Sequence, residues 1–146
     1  MLMRRSWDRP TQRDWSEVIG ALPLFSRVPK RQVRAIAKLA WVVDHAPGEV
    51  IVQAGEQGNS MYLMLEGRAR VVGRSRILRP GDFFGEMALI DGGPRSATII
   101  AASQVRVMML QRRAFLKALK QNPQIGLAIM EVLAERVRRL ERAVSA

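Results

Sequence analysis

The sequence predicts a mainly β domain of the α+β class: an antiparallel sandwich or barrel bracketed by helices. Three observations carry this. Across residues 41–110, short apolar runs are broken by glycine- and proline-bearing turns about every ten residues, the spacing of many-stranded antiparallel folds. On either side of that stretch, apolar residues recur at helical spacing instead. A chain of 146 residues, 48% hydrophobic and 25% charged, fits one domain whose core needs no disulfide or metal. The expected organisation is a basic arm over 1–14, then a single domain over 15–146. Within it, helices span 15–40, the β body 41–110 and the C-terminal helices 111–144.

Residues 1–14 are polar and basic without periodicity, and read as a loose arm. A short helix is expected over 15–22, stopped near Pro23. Pro29 opens a second helix in its first turn, where a missing N–H costs nothing. Val33, Ile36, Ala37 and Ala40 form its apolar face, and Lys30, Arg31, Arg34 and Lys38 its polar one. Strands are expected at 41–43, 50–52, 61–65, 69–72, 77–78, 97–101 and 105–110. Helical spacing returns over 112–120. Asn122-Pro123 then caps and opens a long helix over 123–143. Along it, Met130, Leu133, Val137, Leu140 and Val144 form a heptad-like stripe. Two readings of the stripe stay open: packing against the chain's own β body, or contact with the same helix of a second subunit. It spans about two heptads, short of a coiled-coil signature.

Composition excludes several function classes. With no cysteine there is no disulfide, zinc-thiolate site or thiol nucleophile. With His45 as the only histidine, a multi-histidine metal site and most catalytic triads are ruled out. No enzyme is expected: Asp82 and Glu86 are a carboxylate pair without a metal cluster, a histidine partner or a nucleophile. No apolar run approaches the roughly 20 residues that cross a bilayer, and Met1 to Asp8 lacks the apolar stretch of a signal peptide. A cytoplasmic protein is the expectation. The net charge of +11 sits on the flanks: nine bases against three acids over 1–38, seven of each over 39–110, and eight against three over 111–146. Such flanks are either solvated helix faces or a surface for an acidic partner.

The segment 81–98, Gly-Asp-Phe-Phe-Gly-Glu-Met-Ala-Leu-Ile-Asp-Gly-Gly-Pro-Arg-Ser-Ala-Thr, interrupts the strands. It reads as a turn, a short helical stretch over about 86–90, a glycine pair and an arginine at the mouth of the next strand. Gly85 lets the backbone approach a ligand. The amides after it open a helical turn, which favours an anion. Glu86 offers two acceptor oxygens suited to a sugar hydroxyl. Arg95 offers a fork of donors suited to a phosphate, and Ser96 adds a hydroxyl. One loop could thus hold phosphate and ribose together. Taken alone, the same residues fit an ordinary surface loop with a solvated arginine better than a phosphate-sugar site.

The stretch Phe84-Gly85-Glu86-Met87-Ala88-Leu89-Ile90-Asp91-Gly92-Gly93-Pro94-Arg95-Ser96-Ala97-Thr98 resembles the phosphate-binding cassette of cyclic nucleotide-binding domains. The match includes the gap from Glu86 to Arg95. The segments around Pro47-Gly48-Glu49, Met61-Tyr62-Leu63-Met64-Leu65-Glu66-Gly67 and Leu78-Arg79-Pro80-Gly81-Asp82 are also similar to the family, so the resemblance covers about residues 22–143. It implies an eight-stranded antiparallel jelly-roll barrel, N-terminal helices and a C-terminal helical lid, with the cassette at 83–98. In the implied site, Glu86 accepts the ribose 2′-hydroxyl and Arg95 pairs with the phosphate. Gly85, Glu86 and Ala88 offer amides, Met87 belongs to the same ligand-binding set, and Ser96 bonds the phosphate or the base. Val71 and Leu78 are assigned to the base-packing wall without a motif match. Two departures stand out. Asn59 occupies a position where the family often has an acid. The last helix has no aromatic residue to cap the base, so an aliphatic residue, an arginine stem, another chain or the arm must serve.

The resemblance implies a receptor for a cyclic nucleotide, cAMP more than cGMP because some cGMP readers carry threonine where this chain has Ser96. A stand-alone domain is expected, with no metal and no cofactor beyond the ligand, an unidentified effector protein and a homodimer through the C-terminal helix. Nucleic acid and membrane insertion are not expected. The alternative is a basic interaction module with a vestigial pocket, binding nucleic acid or an acidic protein through its flanks. Intact Glu86 and Arg95 weigh against it.

Overall fold

Val105–Gln111 contains four consecutive buried apolar residues where a strand lining a single core would alternate. The cause is a position between two cores. In the computed structural model, which describes residues 15–145, this strand, β8, has neighbours on both sides. The others are β1 (Trp41–His45), β2 (Val50–Val52), β3 (Ser60–Glu66), β4 (Ala69–Val71), β5 (Ile77–Leu78), β6 (Phe83–Phe84) and β7 (Ile99–Ala101). One sheet runs β1-β8-β3-β6 and the other β2-β7-β4-β5. Every ladder is antiparallel. Val105, Val107 and Met109 face the core between the two sheets, with Val43, Met64, Val71, Leu78 and Ile99. Met108 and Leu110 face the opposite way, into a helical core with Met61 and Leu63.

The helices fill that second core. They are α1 (Ser16–Gly20), a 3₁₀ turn (Pro23–Phe25), α2 (Lys30–Ala37), α3 (Glu86–Asp91), α4 (Arg112–Gln121) and α5 (Gln124–Ser145). Ile19, Leu24, Phe25, Ile36, Phe115 and Ile125 are almost fully buried there. Phe25 and Phe115 meet edge to face at 6.1 Å. Burying side chains of this size stabilises the fold by roughly 1.5–3 kcal/mol each before entropy. The result is three layers: helices, sheet, sheet.

The strand and helix positions follow the sequence expectation closely, with three differences. The expected closed barrel is two open four-stranded sheets that share a core but no ladder. The eighth strand, β6, lies where the sequence reads as a turn. It exists because Phe83 and Phe84 pair with Leu63 and Tyr62, and sequence alone cannot show that long-range pairing.

The third difference concerns α5. Its buried face is Ile125, Ala128, Ile129 and Val132, with Leu133 partly buried. The rest of the heptad-like stripe is exposed: Met130 60%, Val137 52%, Leu140 67% and Val144 87%. Packing of the stripe against the chain's own β body is therefore not its role. Glu131 and Glu135 of the same helix are paired. Arg27 donates to them at 3.3 and 3.1 Å, a half-exposed contact of modest strength. The basic arm at 1–14 lies outside the described residues. Among the described residues no helix is long and apolar enough to cross a membrane.

Candidate functional site

The cassette is built on a strand-to-helix turn. β6 ends at Phe84, Gly85 takes φ +78°, and α3 begins at Glu86. That left-handed conformation suits glycine, and a Cβ at Gly85 would lie 2.5 Å from Arg95 Nη1. Gly58 has a separate reason to be glycine. Its Cβ would fall 2.6 Å from Ala88 Cβ and 2.8 Å from the Gly93 carbonyl. Segment 55–60 can therefore lie flush against the cassette. The amide of Gly58 donates to Gly93 O at 2.9 Å, the amide of Arg95 to Glu56 O at 2.8 Å, and that of Gly55 to Arg95 O at 2.9 Å. Asp91 Oδ1 accepts from the Gly93 amide at 2.8 Å and Thr98 Oγ1 from the Ala54 amide at 2.9 Å. The loop carrying Arg95 is thus fixed at both ends.

Arg95 is the electrostatic centre. Its Nη2 donates to the Ser60 carbonyl at 2.7 Å and lies 3.4 Å from Ser60 Oγ. Its guanidinium carbon sits 5.7 Å from the centre of the Tyr62 ring, within cation–π range. Tyr62 in turn stacks on Phe84 at 5.0 Å. Nη1 is buried and has no hydrogen-bond partner. Burial pulls the guanidinium below the usual arginine pKa, and Tyr62 partly opposes this. A buried donor left unpaired is costly. An oxyanion placed against Nη1 would relieve that cost with a charge-assisted bond.

Gly85, Glu86, Met87, Ala88, Arg95 and Ser96 all line one cavity of about 390 Å³. Ala88 is buried, whereas Met87 is exposed at 44% and Ser96 is exposed on the rim. The Ala88 amide donates to Gly85 O at 3.1 Å, so it is already engaged, unlike its expected role. The first helical amides, at Glu86 and Met87, have no acceptor four residues back within the helix. Val71 and Leu78 are placed differently. They are buried in the core between the sheets, 7% and 1% exposed, and are not among the residues lining this cavity.

Three further residues shape the site and are not legible in the sequence. Ser60 and Tyr62 hold Arg95, a role that depends on β3 passing beneath the loop. Arg136, on α5, has its Nη1 4.0 Å from Glu86 Oε1. Arg136 sits among several arginines, and only the path of α5 singles it out. The arrangement offers a cationic fork, an adjacent carboxylate and a helix start around one small cavity, which suits a ligand bearing both a phosphate and a hydroxylated sugar.

A mainly β domain with such a loop defines a class of small-molecule receptor modules. The chain belongs to the cyclic nucleotide-binding domain family, whose model matches residues 42–122. It is 28% identical over 131 residues to a CRP-like cAMP-activated global transcriptional regulator of Mycobacterium tuberculosis, covering 84% of this chain and 58% of that protein. It is 34% identical over 125 residues to a cyclic nucleotide-gated potassium channel of Mesorhizobium japonicum, covering 85% of this chain and 35% of the channel. It is 34% identical over 122 residues to the cAMP-dependent protein kinase regulatory subunit of Hypocrea atroviridis, covering 82% and 26% respectively. The crystal structure of the N-terminal domain of a transcriptional regulator from Streptomyces coelicolor matches with a TM-score of 0.77 at 26% identity, over 87% of this chain and 94% of that one.

Gly85→Ala tests the turn geometry. Forcing an L side chain into φ +78° should lower stability by about 1–2 kcal/mol. Urea denaturation should show a reduced midpoint. An unchanged midpoint would mean the turn relaxes freely.

Proposed function

We propose that this chain is a cAMP receptor domain. The observation that carries the reading is Arg95: a guanidinium fixed by Ser60, with Nη1 buried and unpartnered beside the Glu86 cavity. In the bound state Arg95 Nη1 pairs with the charged phosphate oxygen. Glu86 accepts the ribose 2′-hydroxyl, and the Glu86 and Met87 amides and Ser96 complete the polar contacts. Val52 and Ile99, which line the same cavity, are the proposed apolar wall for the base; the expected Val71 and Leu78 share their core but are not part of the lining. Serine at position 96 and the relatives named for cAMP favour cAMP over cGMP.

The proposed output is α5. Arg136 already reaches Glu86 from that helix, so a ribose hydroxyl engaging Glu86 changes the balance of that contact. The arginine stem then serves as the lid that an aromatic residue would otherwise provide. A ligand shifts α5 only by its differential affinity for the two positions. The exposed stripe of Met130, Val137, Leu140 and Val144 is proposed to pair with the same helix of a second copy, which would bury it.

Calorimetric titration with cAMP and cGMP side by side tests the ligand. Arg95→Ala should weaken cAMP binding by roughly 2–5 kcal/mol with the melt retained. Glu86→Gln should cost about 1–2 kcal/mol, and a 2′-deoxy ligand should bind both forms about equally. Unchanged affinity in Arg95→Ala would overturn the assignment.

Amide hydrogen exchange tests the lid. Adding cAMP should protect residues 130–143 as well as 84–98. Protection confined to the cassette would make α5 a static scaffold.

Sedimentation velocity tests the pairing. The chain should sediment as a dimer, and Val137→Glu with Leu140→Glu should convert it to a monomer. A monomeric parent chain would remove the proposal.

A further inference from the structure

A second cleft, of about 670 Å³, lies on the other side of segment 55–60 from the cassette cavity. Gly58 and Ser60 face Arg95. The alternating residues Gln57 and Asn59 line the cleft instead. Its opposite wall is α4, which contributes Arg112, Arg113, Lys117 and Lys120. Arg113, Lys117 and Lys120 fall at steps of four and three, so they share one helical face. Phe115 and Ala118 are buried on the other.

The charge of this cleft is unbalanced. Its lining includes no carboxylate. Among the described residues none of the four cations has an ion-pair partner. Like charges four apart on a helix destabilise it, so the wall carries a cost that an anion would offset. Arg112 is held in place. Its amide donates to Asn59 O at 2.6 Å and its Nη2 to Ile90 O at 3.1 Å, while its Nε is buried without a hydrogen-bond partner.

We propose that this cleft binds a small polyphosphate anion. The exposed guanidinium fork of Arg113 can take a phosphate oxygen pair, and the ammonium groups of Lys117 and Lys120 add point charges. Side-chain amides of Gln57, Asn59 and Gln111 supply neutral donors. Leu116 is the lone apolar residue of the lining, too little to anchor a peptide side chain. The lining has no aromatic residue on which a nucleic-acid base could stack. The site is separate from the cassette and stands whether or not the cassette takes cAMP. It is also mechanically joined to it, because Arg112 holds the carbonyl of Ile90 within α3.

The test is calorimetric titration of the chain with sodium tripolyphosphate at about 0.15 M NaCl, where exposed charges are screened. Lys117→Gln with Lys120→Gln is compared with Arg70→Gln and Arg74→Gln, which makes the same change in net charge elsewhere. All four residues are exposed, so both variants should keep the parent melt. Saturable binding should weaken about tenfold or more in the lysine pair, as for two lost charge-assisted contacts, and persist in the arginine pair. Three results would overturn the proposal: no binding below about 1 mM, equal loss in both variants, or no loss in the lysine pair. A single-stranded oligonucleotide that binds while tripolyphosphate does not would also overturn it, in favour of a nucleic-acid surface.

Discussion

The contact on which the site depends is the 2.7 Å hydrogen bond from Arg95 to the Ser60 carbonyl. It anchors a mobile type of side chain to the first residue of β3, a central strand of its sheet. One face of the guanidinium is thereby spent on the protein and the other is left with an unmatched donor. Much of the surrounding sequence follows from making room for it. Gly85 and Gly58 are small because the arginine, Ala88 and the Gly93 carbonyl occupy the space their side chains would need. The stacked pair of Tyr62 and Phe84 provides a flat aromatic floor.

The cassette also lies where the two cores meet. Leu89 of α3 is fully buried among the helices, and Phe83 packs against that same core. Phe84 and Ala97 pack against the core between the sheets. Neighbouring residues of β6 thus point into different layers, as strand alternation requires. A displacement of α3 would therefore be felt by the helices directly. It would not need to pass through the sandwich. The helical core also holds Ile125, Ala128 and Ile129 of α5, which ties the ligand loop and the last helix to one packed unit.

Much of this was legible in the sequence, and the reasons are local. The glycine spacing located most strands because turns need residues that accept unusual backbone angles. The cassette was located by its resemblance to the family, a resemblance that includes the gap from Glu86 to Arg95; the residues by themselves also fitted an ordinary surface loop. What remained hidden depends on distant segments. β6 looks like a turn until Tyr62 and Leu63 are set beside it. Ser60 is an unremarked serine until the loop crosses it. The stripe on α5 is visible as a period, but its face is not. Ile125, Ala128, Ile129 and Val132 form a second apolar row about 110° round the helix from the first, and only packing decides which row turns inward.

The last part of α5 has a geometric consequence. Every residue from Val137 to Ser145 is exposed, so this segment is a rigid rod clamped at one end. At 1.5 Å per residue it is about 13 Å long, and a tilt of about 15° at its base sweeps the tip through roughly 3 Å. A rearrangement of tenths of an ångström around Arg136 and Glu86, close to the fulcrum, would thus be magnified toward Ser145. On the proposed reading, the base of α5 beside the cavity sets where its exposed turns point.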